Sequence, residues 1–330
     1  MTVDYKTTSQ AEWVALAEDY YKRLEFTLRQ FTPRDWMHVT PYLGWRGYEV
    51  LAHMASSNTM NFQLLLDLAM EGRPVPNPPF DFFLRNAAEV RKRKNVPITE
   101  VLQEFSSTLA NNLNFYKRLA DGDWLRPAWF FIGDVSIRSL FLTQLSDIVV
   151  HERDLCLATG KWKGFDPQLL QPLTDWFMCE FRPATFRHEG TETLNITILY
   201  RLSGSAEGDW TMVVRNGECH AEKGNCSMPD ITVLADAEDL ITASLARANS
   251  AVGSLSRGVA FLVSSPRRED FVATVTGYFS LGSAVFSKRL RINGDRVKIA
   301  QLRRAFWHFG ERRKQAEVSM ITSRIMRSPR

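Results

Sequence analysis

The sequence is short of several things, and each shortage narrows what the chain can be. Only four of its 330 residues are cysteine (Cys156, Cys179, Cys219 and Cys226), and none are in a CxxC spacing. That is too sparse for a disulfide scaffold and wrongly spaced for a four-cysteine zinc site, so a reduced, cytoplasmic protein with free thiols is expected. Long hydrophobic runs are missing too. Apolar stretches such as GVAFLV fall far below the length that spans a bilayer, so no membrane span is expected. The start, MTVDYKTTSQAEW, has no basic segment leading into an apolar one, and no secretory signal is expected. Charge of one sign is scarce as well. The formal net charge is +4, and six bases against two acids from Glu311 onward account for all of it. A neutral body with a short basic tail calls for no nucleic-acid partner. No GxSxG, Walker or GxGxxG signature is present, which weighs against a serine hydrolase, a P-loop enzyme or a Rossmann dehydrogenase.

What is there is helical pattern first. Residues 9–32 repeat apolar side chains at three and four (Trp13, Leu16, Ala17, Tyr20, Leu24, Leu28), and Pro33 in FTPRDW ends the run. After a Gly44–Trp45 turn, RGYEVLAHMASSNTMNFQLLLDLAM predicts a second helix ending near Gly72, followed by the proline-rich loop RPVPNPPF. A third helix lies in TEVLQEFSSTLANNLNFYKRLA, with Thr99 as expected N-cap and Glu100 in its first turn. The fourth runs from about Ser136 to Thr159, carries Ile137, Leu140, Leu145, Ile148 and Leu155 near one stripe, and stops at Gly160. Four such helices predict an up-and-down four-helix bundle.

The second half changes character. A helix over 167–181 is followed by the strand-like segments LNITILYRL, DWTMVVRNGECHAEKG and DITVLADA. The turns Asn216–Gly217 and Lys223–Gly224 predict successive hairpins, and helices are expected over 237–248 and 295–309. The length favours two domains, and the order of elements makes the chain α+β. The boundary falls in GKWKGFDP: a bundle over 1–164, an α+β domain over 165–310, and a basic tail over 311–330.

In DIVVHERDL, Asp147 and His151 are one helical turn apart and stack on one face. His53 lies in EVLAHMA, an apolar neighbourhood. Each alone has an ordinary reading, as a core histidine or as a solvated or hydrogen-bonded pair. Together, two histidines and a carboxylate in an apolar bundle need something to offset their burial. A metal would do so, and this donor set leaves a fourth position open, as catalytic zinc requires. Such an ion acidifies a bound water or thiol. Gln144, three before Asp147, is a candidate to line the open side in a catalytic role or to support the ligands from behind. Ser57, one turn beyond His53, and Asp154, three after His151, are candidates to orient the ligands. All three also read as ordinary polar helix residues. His38, His188, His220 and His308 belong to no constellation.

The stretches DWMHVTPYLGWRGYEVLAHM (35–54) and IRSLFLTQLSDIVVHERDL (137–155) resemble the DinB-like metal-binding bundles, most nearly the branch of the mycothiol-dependent maleylpyruvate isomerase type. The resemblance implies His53, Asp147 and His151 as metal ligands, with Asp147 standing where the family has glutamate. A shorter side chain there would draw the ion toward the fourth helix, weaken its binding or admit another ligand. EGDWTMVVRNGECHAEKGNCSMPDITVLADAEDLITASL is similar to the sterol carrier protein fold, and AVFSKRLRINGDRVKIAQLRRAF to its closing segment, with 246–282 longer than that pattern. Together the resemblances imply an enzyme with zinc or another divalent metal and a low-molecular-weight thiol such as mycothiol as cofactor or cosubstrate. It would be an isomerase or thiol S-transferase acting on a small electrophilic substrate through a metal-bound thiolate, with the carrier-like domain helping to enclose that substrate. Two alternatives stay open: a metal-dependent hydrolase, and a carrier of apolar ligands in which the triad is structural. Nothing in the sequence marks an oligomeric state.

Overall fold

In the computed structural model, which describes residues 4–42, 45–74, 82–130, 132–186, 188, 190–244 and 290–305, the chain is α+β. The described residues form two units: 8–164, and 165–244 with 290–305 and the N-terminal 4–7.

In the first unit, α1 (Gln10–Arg29) opens on a capping box: the Glu12 N–H donates to Ser9 Oγ, and the Ser9 N–H to the Glu12 carboxylate. Its buried face carries Trp13, Ala17, Tyr20, Tyr21, Leu24 and Leu28. The second helical run is α2 (Gly47–Ser57), a π-turn over Asn58–Gln63, and α3 (Leu64–Met70). A helix absent from the sequence reading follows, α4 (Phe82–Lys92). Arg93, just past its end, forks between Glu89 (3.0 Å) and Glu104 (2.6 Å) and ties it to the next helix. That helix, α5 (Ile98–Lys117), takes Pro97 as its N-cap, so Thr99 lies inside the first turn rather than capping it. A short antiparallel hairpin, β1 (Pro127–Phe130) and β2 (Gly133–Ser136), leads into α6 (Ile137–Thr159). Ser136 caps α6, and Gly160 ends it in the left-handed region (φ 73°), where the Lys161 N–H reaches back to the Cys156 carbonyl. α2 packs on α4, α5 and α6, and α1 on α5 and α6. Phe141 of α6 is the aromatic hub of this core, with Trp13, Tyr116 and Trp124 around its ring.

In the second unit, α7 (Pro167–Trp176), a π-turn (Phe177–Phe181) and α8 (Arg182–Ala184) precede a five-stranded sheet. Its strands are β3 (Asn195–Ser203), β4 (Gly208–Arg215), β5 (Glu218–Lys223), β6 (Ile231–Asp236) and β7 (Leu290–Gly294), in the order β5-β4-β3-β6-β7. α9 (Ala237–Ser244) follows β6, and α10 (Arg296–Ala305) follows β7. Asn216 (φ 54°) and Gly217 (φ 76°) make the expected hairpin between β4 and β5. The second expected hairpin does not form. β6 crosses over to run parallel to β3, with Ile231 opposite Ile198. The reason lies in the side chains: β6 buries Ile231, Val233 and Ala235 and needs an apolar neighbour, whereas β5 is a largely exposed edge strand, ECHAEK.

The tail 311–330, the ends of the helices expected over 237–248 and 295–309, the stretch 246–282, Gly44 and most of the proline-rich loop lie outside the described residues. No helix among the described residues is long and apolar enough to cross a membrane.

Candidate metal centre

The chain between α1 and α2 forms a tight strap. Val39 bridges Arg46, the Thr40 N–H and hydroxyl both donate to the Trp45 carbonyl (2.7 and 2.9 Å), and the Trp45 N–H donates to the Tyr42 carbonyl (2.9 Å). α2 then starts hard against the preceding turn. A Cβ on Gly47 would meet the Trp36 carbonyl oxygen at 3.2 Å, so glycine allows this close approach. The Glu49 carboxylate accepts the Arg46 N–H and closes the first turn of α2. These constraints set two aromatic side chains of the strap over His53: the Tyr42 ring is stacked at 6.0 Å and the Trp45 ring sits edge-on at 5.7 Å.

α6 brings Asp147 and His151 to the same place. His53 Nε2 lies 3.7 Å from one Asp147 oxygen, and His151 Nε2 lies 3.5 Å from the other. The two imidazoles meet edge to face at 4.9 Å, and Tyr42 presses edge-on to His151 at 4.7 Å. One potential donor atom from each of the three residues lies within 4.8 Å of the others, the sole such group of His, Cys, Asp or Glu among the described residues. The histidine side chains are 4% and 0% exposed and that of Asp147 is 30%, so the group opens on the aspartate side.

Around the triad, His151 Nδ1 faces the fully buried Asp154 carboxylate at 3.2 Å. An acid there favours the tautomer with the proton on Nδ1 and the lone pair on Nε2, turned to Asp147. Ser57 Oγ accepts from Asn61 Nδ2 (3.0 Å), which also donates to Asn86 (2.8 Å). Gln144 is engaged at both ends: Nε2 donates to Asn58 Oδ1 (2.8 Å), and Oε1 accepts from the Tyr116 hydroxyl (3.3 Å). Tyr42, Trp45 and Tyr21 are the neighbours that sequence reasoning missed. Burial, and then the Asp147 charge, pushes the Tyr21 phenol far above the usual range, so it keeps its proton. Tyr21 sits on the buried stripe of α1, but nothing in that periodicity tells which helix it meets. His188, in the second unit, bonds the Gly217 carbonyl (2.8 Å), and His220 faces Glu218 on an exposed strand there.

Two imidazole nitrogens and a carboxylate oxygen suit a divalent ion, zinc among them, and leave room for a further ligand. A tetrahedral ion with bonds of about 2.1 Å separates its donors by about 3.4 Å. Each histidine Nε2 lies near that distance from one Asp147 oxygen (3.7 and 3.5 Å, to different oxygens), and one donor atom from each residue lies within 4.8 Å of the others, so the donor set suits a divalent ion. No family model matches the sequence, and no curated protein sequence does. Solved structures that share the fold include two of one enzyme. The crystal structure of the mycothiol-dependent maleylpyruvate isomerase matches with a TM-score of 0.51 at 12% identity, over 74% of this chain and 92% of that one. A histidine-to-alanine mutant of that isomerase matches with a TM-score of 0.52 at 11% identity, over 76% of this chain and 93% of that one. At such identities the likeness is one of fold.

Proposed function

We propose that this chain is a divalent-metal enzyme that uses a low-molecular-weight thiol, as an isomerase or thiol S-transferase, on a small electrophilic substrate. The observation that carries this reading is the convergence of His53, Asp147 and His151 from two helices far apart in sequence, with the histidines buried and the acid at the opening. The fold it shares with the mycothiol-dependent maleylpyruvate isomerase supports a thiol as the second reactant. In this reading residues 1–164 are a DinB-like four-helix bundle and 165–310 a sterol-carrier-like domain, with zinc the first metal to test.

A divalent ion held by the triad supplies the positive charge that keeps a small thiol in its reactive, ionised form near neutral pH. The rest falls to the chain's own groups. His53 and His151 present Nε2, and Asp147 supplies the carboxylate oxygen. Asp154 holds the proton on His151 Nδ1 and so keeps Nε2 available. Tyr42 and Trp45 cover the imidazole faces and exclude water from the histidine side. Tyr21 stays protonated at Oη within electrostatic reach of Asp147.

Elemental analysis of the purified protein tests the first half of the reading, and a thermal-shift panel of mycothiol, glutathione and bacillithiol on zinc-loaded protein tests the second. Stoichiometric metal and stabilisation by one of the thiols are expected. Protein that holds no divalent metal, even after zinc is supplied, would sink the reading. Copurified lipid without metal would favour the apolar-ligand carrier instead.

A further inference from the structure

The helices that carry the triad are joined about a turn away from it by two buried amides. Gln144 of α6 lies three residues before Asp147, and its Nε2 donates to Asn58 Oδ1, the first residue of the π-turn that continues α2 (2.8 Å). α5 secures both partners. Tyr116 donates its hydroxyl to Gln144 Oε1 (3.3 Å), Asn112 Nδ2 donates to the Asn58 carbonyl (3.0 Å), and Asn58 Nδ2 donates to Thr108 Oγ1 (3.2 Å). Asn58, Asn112, Tyr116 and Gln144 are all 3% exposed or less.

Resting on the metal reading above, we infer that the Asn58–Gln144 pair is a positioning device for that centre. It sets the spacing of α2 and α6, and so the approach of His53 to Asp147 and His151. Gln144 is then a positioning residue, with each end of its amide engaged by a neighbouring helix. An apolar contact between two helices tolerates small slips. A buried amide network has one register, because shifting it sets donor against donor or leaves a buried polar atom without a partner. A metal centre needs that fixity, since its donor distances are held to about 0.2 Å. The π-turn fits this role. It begins at Asn58, where the run departs from α-helical register and the Asn58 carbonyl accepts from Asn112. His53, on the regular α2 turn before it, is thereby anchored from its C-terminal side by two helices, α5 and α6.

The test is made on the full chain. Zinc affinity is measured by competition with a chromogenic chelator, with folding monitored by far-UV circular dichroism and crystal structures determined for the wild type and Gln144→Met. The methionine keeps the length and apolar bulk but removes both hydrogen bonds. It is expected to weaken zinc binding roughly tenfold or more, as loss of an outer partner typically does, and to widen the gap between His53 and Asp147. Tyr116→Phe, which removes the α5–α6 bond but leaves the Gln144–Asn58 bond between α6 and α2 in place, is expected to weaken zinc binding less than Gln144→Met. If Gln144→Met does not fold, Gln144→Asn, one methylene too short to reach Asn58, is read in its place. A folded variant with wild-type zinc affinity and an undisturbed triad overturns the inference, including when it is merely less stable. Wild-type protein that binds no zinc, while Gln144→Met still displaces His53, overturns the metal reading and leaves the positioning role standing.

Discussion

Each unit sets a helical carboxylate beside aromatic side chains, and the two carboxylates keep different company. Asp175 of α7 has permanent donors: Trp210 Nε1 at 3.0 Å on one oxygen and Lys223 Nζ at 2.9 Å on the other. The lysine also lies over the Trp210 ring, and the buried acid is satisfied by the fold itself. Asp147 of α6 faces two imidazole Nε2 atoms at 3.5 and 3.7 Å, groups that can serve as acceptors as readily as donors. The first cluster is complete as a piece of structure. The second has three potential electron-pair donors directed at one another, an arrangement that a cation resolves. A helical acid therefore becomes a candidate site through the kind of partner it has, more than through its burial.

The largest expected effect breaks the contrast at its metal end. Replacing His53 or His151 with alanine removes one of three donors, and zinc affinity should fall by more than the roughly 10–100-fold typical of an outer partner. Chelator competition checks this, and a variant that keeps stoichiometric zinc at wild-type affinity would return the triad to the same class as Asp175. Asp154→Asn comes next. It keeps the shape but loses the charge that holds the His151 tautomer, so a drop of about tenfold or more in zinc affinity is expected at unchanged fold. The complementary change, Asp175→Ala, should do the reverse. It leaves the buried Trp210 N–H without its acceptor and should cost about 1–3 kcal/mol of stability in urea unfolding. Zinc affinity should not move. A change there would mean that the two clusters are not independent.

The same contrast explains what was legible in the sequence. Asp147, His151 and Asp154 lie on one helix at spacings of three and four, so their shared face follows from helix geometry alone. His53 stands out as a polar residue in an apolar run, but its approach to Asp147 depends on helix packing that no local pattern encodes. Tyr42 and Trp45 belong to a strap whose shape rests on the Thr40–Trp45 hydrogen bonds and the close approach at Gly47, so YLGW reads merely as a turn. The partners of Gln144 were hidden for another reason: the π-turn at Asn58 breaks the 3.6-residue period on which projection along α2 relies. α1 and α6 were visible because both periodicity and caps mark them. α4 was not, and β6 was misassigned because a turn signal at Lys223–Gly224 cannot tell a hairpin from a crossover.

The smallest effect sharpens the comparison inside the unit that carries the triad. Asp35 pairs with Lys161, just past the end of α6, at 2.8 Å, and Lys161 also covers the Phe31 ring at 4.4 Å. The Lys161 ammonium, and then the Thr32 backbone N–H, hold the Asp35 carboxyl down at about 2. Its pKa is lower in the folded chain than in the unfolded one, so the stability it contributes is present above about pH 4 and is lost as the pH falls toward 2. Lys161 is 39% exposed, and solvent screening limits the contribution to at most about 1 kcal/mol. Lys161→Met keeps much of the cover over Phe31 and removes the charge. Urea unfolding of wild type and variant should therefore differ most near pH 5 and converge near pH 2, with the Asp35 carboxyl titrating higher in the variant by carbon NMR. A difference that persisted unchanged to pH 2 would mean that Lys161 acts through packing on Phe31. This lysine-held acid would then owe its place to burial of the lysine stem, unlike Asp175, whose two oxygens are each held by a donor.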